Sequence, residues 1–218
     1  MSHSMKYPPF PSVLLPALLG FTVAFTQTST DSETWREARR VLDGLAKQHG
    51  AAQNFFLKFE SRATGSDGEA MASSKGSLSV SDSGRFRLES ATAVVVCDGK
   101  TLWQYFSANK QVIVKQAAEA GAAGGILLRF LQAKPLRAER GHGGSLRIIL
   151  DPGSVGERLD SLILTVDPDK SVIRSVETQD PAGNRITYLV KSLRYDTHPG
   201  NKAFTFQIPA GVETVDMR

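Results

Sequence analysis

Cys97 is the single cysteine in this 218-residue chain. No internal disulfide can form, and a multi-cysteine metal site is excluded. Histidine is scarce as well, with four in all. His49 closes a helical pattern, His142 sits in a glycine-rich stretch, His198 lies in the turn "DTHPGN" and His3 is near the start, so none pairs with another at metal-ligand spacing. No G-x-S-x-G elbow occurs, and "HGGS" (His142 to Ser145) reads as a glycine-rich surface turn rather than an oxyanion loop. "GAAGG" lacks the Lys-Ser/Thr of a phosphate loop. Asp167, Asp169 and Asp180 fall in turns, too sparse for a calcium loop. Cys97 precedes Asp98, whose carboxylate disfavours a thiolate, and reads as a small buried hydrophobe. The expectation is a protein that is not an enzyme and needs no cofactor or metal.

Charge of one sign is not in large excess either. Twenty-six Lys and Arg against 22 Asp and Glu give +4. No basic cluster alternates with exposed aromatics, which argues against nucleic acid as a partner. A mildly basic surface favours anionic membranes or acidic partners.

Long apolar runs are confined to one place, Val13 to Phe25 ("VLLPALLGFTVAF"). It has the length of a signal-peptide core and is too short to span a bilayer; Lys6 supplies a thin positive start, and polar residues follow in "TQTSTDSE". Residues 1–30 read as a secretory signal peptide cleaved between Ala24 and Ser32, with an uncleaved anchor as the alternative. No cysteine lies near that point for acylation. Residues 31–218 read as one domain, and a chain of this length, 41% hydrophobic over its 218 residues, can bury a sizeable core.

What the domain does have is strand. After a helix predicted over Ser32 to His49, with Trp35, Ala38, Val41, Leu42 and Leu45 at spacings of three and four, a cap among Thr30, Asp31 or Ser32, and Gly50 as its stop, strand patterns follow closely. "QNFFLKFESRA", "KGSLSVS" and "RFRLES" alternate. "VVVCDGKTLWQYFSANKQVIV" (Val94 to Val114) reads as three strands joined by turns at Asp98-Gly99 and Ser107 to Asn109. "SLRIILD", "LDSLILTVD", "VIRSVET", "NRITYLVKSLRY" and "AFTFQIP" complete about ten antiparallel strands. One interruption, "AAEAGAAGGILLRFLQAKP", reads as a helix loosened by Gly121, Gly124 and Gly125 and stopped by Pro135; "RAERGHGG" follows as a basic loop. One antiparallel sheet of this length must curl, and its concave face must be filled. The triple strand from Val94 poses a puzzle, because Val94 and Val96 oppose Val95 and Cys97, and Leu102 opposes Trp103. Something apolar must cover both sides of it.

"DGKTLWQYFSANKQV" (Asp98 to Val112), "DPAGNRITYLVKSLRY" (Asp180 to Tyr195) and "FTFQIPAGVETVD" (Phe204 to Asp216) resemble the outer-membrane lipoprotein carrier family, LolA, over residues 32–218. The resemblance implies an α+β fold: a strongly curved antiparallel sheet, an unclosed half-barrel of ten to eleven strands, with helices lidding an apolar concave face. It implies a monomeric periplasmic carrier that takes lipoproteins from an inner-membrane ABC-type exporter, shields their acyl chains and delivers them to an outer-membrane acceptor. The residues expected to line the cavity are Phe55, Leu57, Phe59, Leu78, Val80, Phe86, Leu88, Leu102, Trp103, Ile126, Leu127, Phe130, Leu131, Ile148, Leu150, Leu162 and Leu164.

Two departures from the family pattern bear on cargo. Better-known carriers follow the "G-x-L-x-V" strand with a basic residue and proline, the arginine tethering the lid; here Gly76 to Val80 runs into Ser81-Asp82-Ser83-Gly84, leaving Arg85 or Arg87 as substitutes. The best-known members also present an acidic transfer surface, whereas this chain is basic. A carrier of another lipid, a glycolipid or polyketide-type lipid, and a periplasmic sensor or interaction module on the same sheet are the alternatives. Ester turnover that depends on His142 would be needed to revive a hydrolase.

Overall fold

A computed structural model describes residues 27–52, 54–81, 84–120, 130–155 and 158–218. Ile126 and Leu127, and with them the middle of the expected second helix, lie outside the described residues. So does the apolar run before Gln27.

Helix α1 spans Gln27–Ala51. It starts earlier than the spacing predicts, so Thr30 to Ser32 lie within it rather than capping it, and Gly50 is helical rather than its left-handed stop. Ala52 N–H instead closes the end onto the carbonyls of Gln48 and His49. Its inward stripe is Thr34, Ala38, Val41, Leu42, Leu45 and His49, all buried, the three-and-four spacing of an amphipathic helix.

Twelve strands follow among the described residues. β1 (Phe55–Thr64), β2 (Ala70–Val80), β3 (Phe86–Ser90), β4 (Ala93–Cys97), β5 (Thr101–Phe106) and β6 (Gln111–Gln116) form one antiparallel meander. β7 (Pro135–Arg140), β8 (Leu146–Leu150), β9 (Ser161–Asp167), β10 (Val172–Gln179) and β11 (Arg185–Tyr195) form a second. β1 pairs with β11 and fuses the two into one sheet, ordered β12-β6-β5-β4-β3-β2-β1-β11-β10-β9-β8-β7. β12 (Glu213–Asp216) adds parallel to β6 at one edge. The sheet is unclosed and curved. Residues from β1 to β5, from β8 to β10 and from α1 belong to one continuous buried core, which requires the two halves to wrap around a common interior.

Turn chemistry behaves as read. The Asp98 carboxylate accepts from the N–H groups of Lys100 and Thr101, both at 2.8 Å, and Gly99 takes φ +96°. Asp180 accepts from the Asn184 N–H and side-chain amide, both at 2.9 Å, and these bonds, the amide foremost, hold its carboxyl below the usual range.

Three expectations are corrected. "RAERGHGG" is not all loop: Pro135–Arg140 is the edge strand β7, and His142–Gly144 is a 3-10 turn in which the Ser145 hydroxyl donates to the His142 carbonyl. Pro135 therefore opens a strand, while residues 130–132 hold the described helical part of the interruption. "AFTFQIP" is not a strand: Asn201–Phe204 is a 3-10 turn, and the chain beyond it is irregular up to β12.

That last correction answers the puzzle of Val94 to Val114. Pairing puts Val95, Cys97 and Leu102 on the inner face, and Val96, Trp103, Val112 and Val114 on the outer one. The segment 201–206 lies against that outer face. Phe206 meets Trp103 and Tyr105 at ring-centre distances of 6.3 and 6.2 Å, Phe204 is 1% exposed under the guanidinium of Arg85, and Val96 and Val112 are fully buried. Arg85 also donates to Asn201, and Arg87 to the Thr205 carbonyl. A side chain that dispenses with strand geometry can pack across several strands at once. Truncating Phe204 to Ala should cost about 3–4 kcal/mol, read as a lowered urea midpoint with little change in slope.

Candidate functional site

Directly paired residues share a face of the sheet, so the register decides what lines the interior. From β11 to β5 one inner row runs Tyr195, Phe55, Val80, Phe86, Cys97, Leu102; the next runs Leu193, Leu57, Leu78, Leu88, Val95, Gln104; a third runs Val190, Phe59, Gly76, Ser90, Ala93, Phe106. In the second meander Leu162 and Leu150 pair, as do Leu164 and Ile148, with Val166 and Leu146 beside them. Twelve of the expected residues thus meet on one face: Phe55, Leu57, Phe59, Leu78, Val80, Phe86, Leu88, Leu102, Ile148, Leu150, Leu162 and Leu164.

Trp103 does not. It pairs with Val96 and Val114 and faces outward onto Phe206, because adjacent residues of a strand point to opposite faces. Phe130 and Leu131 enter the core from the segment before β7. Neither Arg85 nor Arg87 faces inward. Arg87 pairs with Val96 and Ser79 on the outer face, and both arginines hold the C-terminal segment.

The inner face has two unequal halves. Under α1, which packs on β7 and β8, Leu146, Ile148, Leu150, Leu162, Leu164 and Val166 are each 0% exposed. Ala38, Val41, Leu42 and Leu45 share that core, and Glu37 of α1 pins the edge through an ion pair with Arg140 at 2.6 Å. At the C-terminal end of the helix, His49 rests its ring on Phe55 at 4.8 Å and near Tyr195 at 5.7 Å; burial pushes the Tyr195 hydroxyl pKa upward. Ile148, Leu150, Leu162 and Leu164 are therefore sealed packing, reachable only if α1 leaves.

The other half is not sealed. Leu57, Leu88, Val95, Val190 and Leu193 are half-buried. Exposure grows along the strands to Phe106 and Tyr188, each 36% exposed. Phe59 lies across this half, its ring 5.9 Å from that of Tyr188, and it can do so because Gly76 has no side chain. A Cβ there would stand 2.5 Å from Phe59 Cζ and 2.7 Å from the Glu89 carbonyl oxygen. The open half is thus an apolar wall with an aromatic floor.

Val95, Val190, Leu193, Tyr188 and Phe106 belong to this wall without having been expected there. Val95 sits in a run that is apolar on both faces, so alternation could not choose its side. On β11 the register shifts opposite Lys58 and Phe59; the extra residue brings Val190 and Leu193 to one face, which period-two counting cannot show.

A family model described as "Outer membrane lipoprotein carrier protein LolA" matches residues 51–207. The chain belongs to the LolA family. It is similar to an outer-membrane lipoprotein carrier protein of Photorhabdus laumondii, 26% identical over 178 residues, which is 80% of this chain and 87% of that protein. In fold it is similar to an uncharacterized conserved protein from Thermus thermophilus, with a TM-score of 0.51 at 11% identity, covering 82% of this chain and 98% of the other. A LolA superfamily protein from Nitrosomonas europaea superposes with a TM-score of 0.40 at 12% identity, covering 78% and 97%. LolA is a family of carriers rather than enzymes, and membership supports a lipoprotein or lipid carrier role. Most of α1 and all of β12 fall outside the stretch that matches LolA.

The division of the inner face has a measurable consequence. Leu162→Ala should destabilise by about 3 kcal/mol, because a sealed site cannot collapse. Leu88→Ala, half-buried already, should cost about 1 kcal/mol. Chemical denaturation of the two variants compares them directly.

Proposed function

We propose that this protein is a periplasmic carrier that holds the acyl chains of lipoproteins against the open half of its inner face and moves them from the inner to the outer membrane. Residues 1–30 direct export and are removed. The donor is an ABC-type exporter of the inner membrane and the acceptor an outer-membrane protein, with the carrier acting as a monomer and without enzymatic chemistry.

One observation carries the proposal: the inner face is sealed under α1 but left half-covered at Leu57, Phe59, Leu88, Val95 and Leu193. An ordinary core closes such a surface, since each methylene moved from water to an apolar site gains about 0.8 kcal/mol. A surface kept partly open is one that gains that energy from something else, and a hydrocarbon tail supplies it. Phe130 and Leu131, at the end of the connection between β6 and β7, enter the core, and we assign them to the lid.

A second reading, a lipid other than lipoprotein as cargo, rests on a separate observation. Arg87 faces outward, and both it and Arg85 bind the C-terminal segment, so the outward Arg87 does not supply the lid tether of the better-known carriers. Mass spectrometry of lipid that co-purifies with the protein separates lipoprotein from a glycolipid or polyketide-type lipid.

A photo-reactive residue in place of Leu88 should capture acylated protein in cells, whereas one in place of Leu162 should not; capture at neither position, or equally at both, overturns the assignment. In vitro, Leu88→Gln should lower uptake of a fluorescent fatty acid by about tenfold, the value of roughly two methylene contacts, while Leu162→Ala leaves uptake near that of the unmodified chain.

A further inference from the structure

Among the described residues β7, β12, residues 190–195 of β11 and residues 70–75 of β2 each present open strand edge, and they are not alike. β7 is blunted by Pro135, by the register irregularity between Pro135 and Arg137, and by the charges of Arg137 and Glu139. β12 is four residues long and carries Glu213 and Asp216. The stretch on β2, like that on β11, lies within the order of strands. β2 runs from Ala70 to Val80, but β3 pairs only with Gly76 to Val80. Residues 70–75 pair with β1 on one side; on the other they make no backbone bond among the described residues.

This stretch is only lightly protected, by a register irregularity at Met71 and by Lys75 at its end. Its sequence, Ala-Met-Ala-Ser-Ser-Lys, has no proline, only a terminal charge, and small side chains apart from Met71, which is 65% exposed. Six unpaired residues with small side chains make a template for another strand. A groove of about 510 Å³ lies alongside, lined by residues 60–62 of β1, 73–75 of β2 and Ala91 of the turn after β3.

The charge around the groove is lopsided. Glu60 is held ionised chiefly by its hydrogen bond with Lys191, at 2.9 Å, with Lys75 at 3.7 Å. Arg62 makes no ion pair among the described residues. On the same outer face Lys58 and Arg194 flank the Phe56 ring at 5.9 and 5.2 Å, without a carboxylate partner among the described residues. On this outer face two carboxylates, Glu60 and the Arg87-paired Glu89, stand among the cations Lys58, Arg62, Lys75, Arg87, Lys191 and Arg194. Pairing of the edge with a second copy of itself would bring these cations against their own equivalents, which like-charge opposition disfavours.

We propose that the free edge of β2 at residues 70–75 accepts an extended, acidic segment of a partner polypeptide as an added strand, its carboxylates set against Arg62 and Lys75. The added strand takes up the line where β3 stops at Ser90. The site is at an edge, and its charged residues Glu60, Arg62 and Lys75 lie on the outer face.

The probe is a fluorescein-labelled octapeptide in which valine or threonine alternates with aspartate, titrated into the purified protein and followed by anisotropy. It should bind with a dissociation constant on the order of micromolar and weaken as salt rises. Replacing its aspartates with lysine should weaken binding by at least about tenfold. N-methylation of alternate amides should abolish binding in one register and spare it in the other, because only one set of N–H groups faces the edge. That arm alters the peptide alone, so it stands whatever the protein variant does. Arg62→Glu combined with Lys75→Glu, two exposed positions, should reproduce the loss. Equal binding of acidic and basic peptides, indifference to N-methylation in both registers, or a dimer in sedimentation velocity that the acidic peptide fails to dissociate would each overturn the proposal.

Discussion

The ladder between β1 and β11 is the constraint on which the rest of the molecule depends. It pairs Phe55 with Tyr195 at one end and Thr64 with Arg185 at the other, strands that bracket nearly the whole domain. Without it there are two separate meanders, each with an apolar face and nothing to turn it against. With it there is one sheet, its two inner faces look at each other, and α1 has a floor to lie on. The irregularity opposite Lys58 and Phe59 adds local twist and sets Val190 and Leu193 beside Leu57 and Phe59.

From that ladder follows the inequality of the two halves. α1 packs on β7 and β8 and at its end reaches the first meander through His49 on Phe55. One helix cannot cover twelve strands. Leu57, Leu88 and Val95 are left half-buried while Leu150 and Leu164 are sealed completely. Rigid packing on one side and accessible apolar wall on the other is a division of labour suited to a carrier.

The outer face shows the same division. Around β4 to β6 it is apolar and covered by the chain's own residues 201–206, held by Arg85 and Arg87. Around β1, β2 and β11 it is basic and rich in serine, and needs no cover. The arginines that resemblance offered as lid tethers thus serve the opposite side of the sheet.

Much of this was legible in the residues. Arg147 in "SLRIILD" and Thr165 in "LDSLILTVD" marked the outward parity of those strands, and the three-and-four spacing after Ser32 determined the face of α1. Asp98-Gly99 and Asp180 to Gly183 determined their turns, since a short carboxylate side chain and a glycine at positive φ act locally. Trp103 and Val95 were different: a run that is apolar on both sides carries no parity signal, and only pairing with Val96 and Gln104 gave each its face. "AFTFQIP" alternates like a strand, yet three-dimensional packing needed Phe204 and Phe206 across several strands rather than within one. That β1 would find β11, about 130 residues further on, and that a stretch of β2 would be left without a neighbour, was decided by the tertiary structure alone, because hydrogen-bond partners between distant strands are chosen by the curvature and stagger of the whole sheet and leave no mark in local composition.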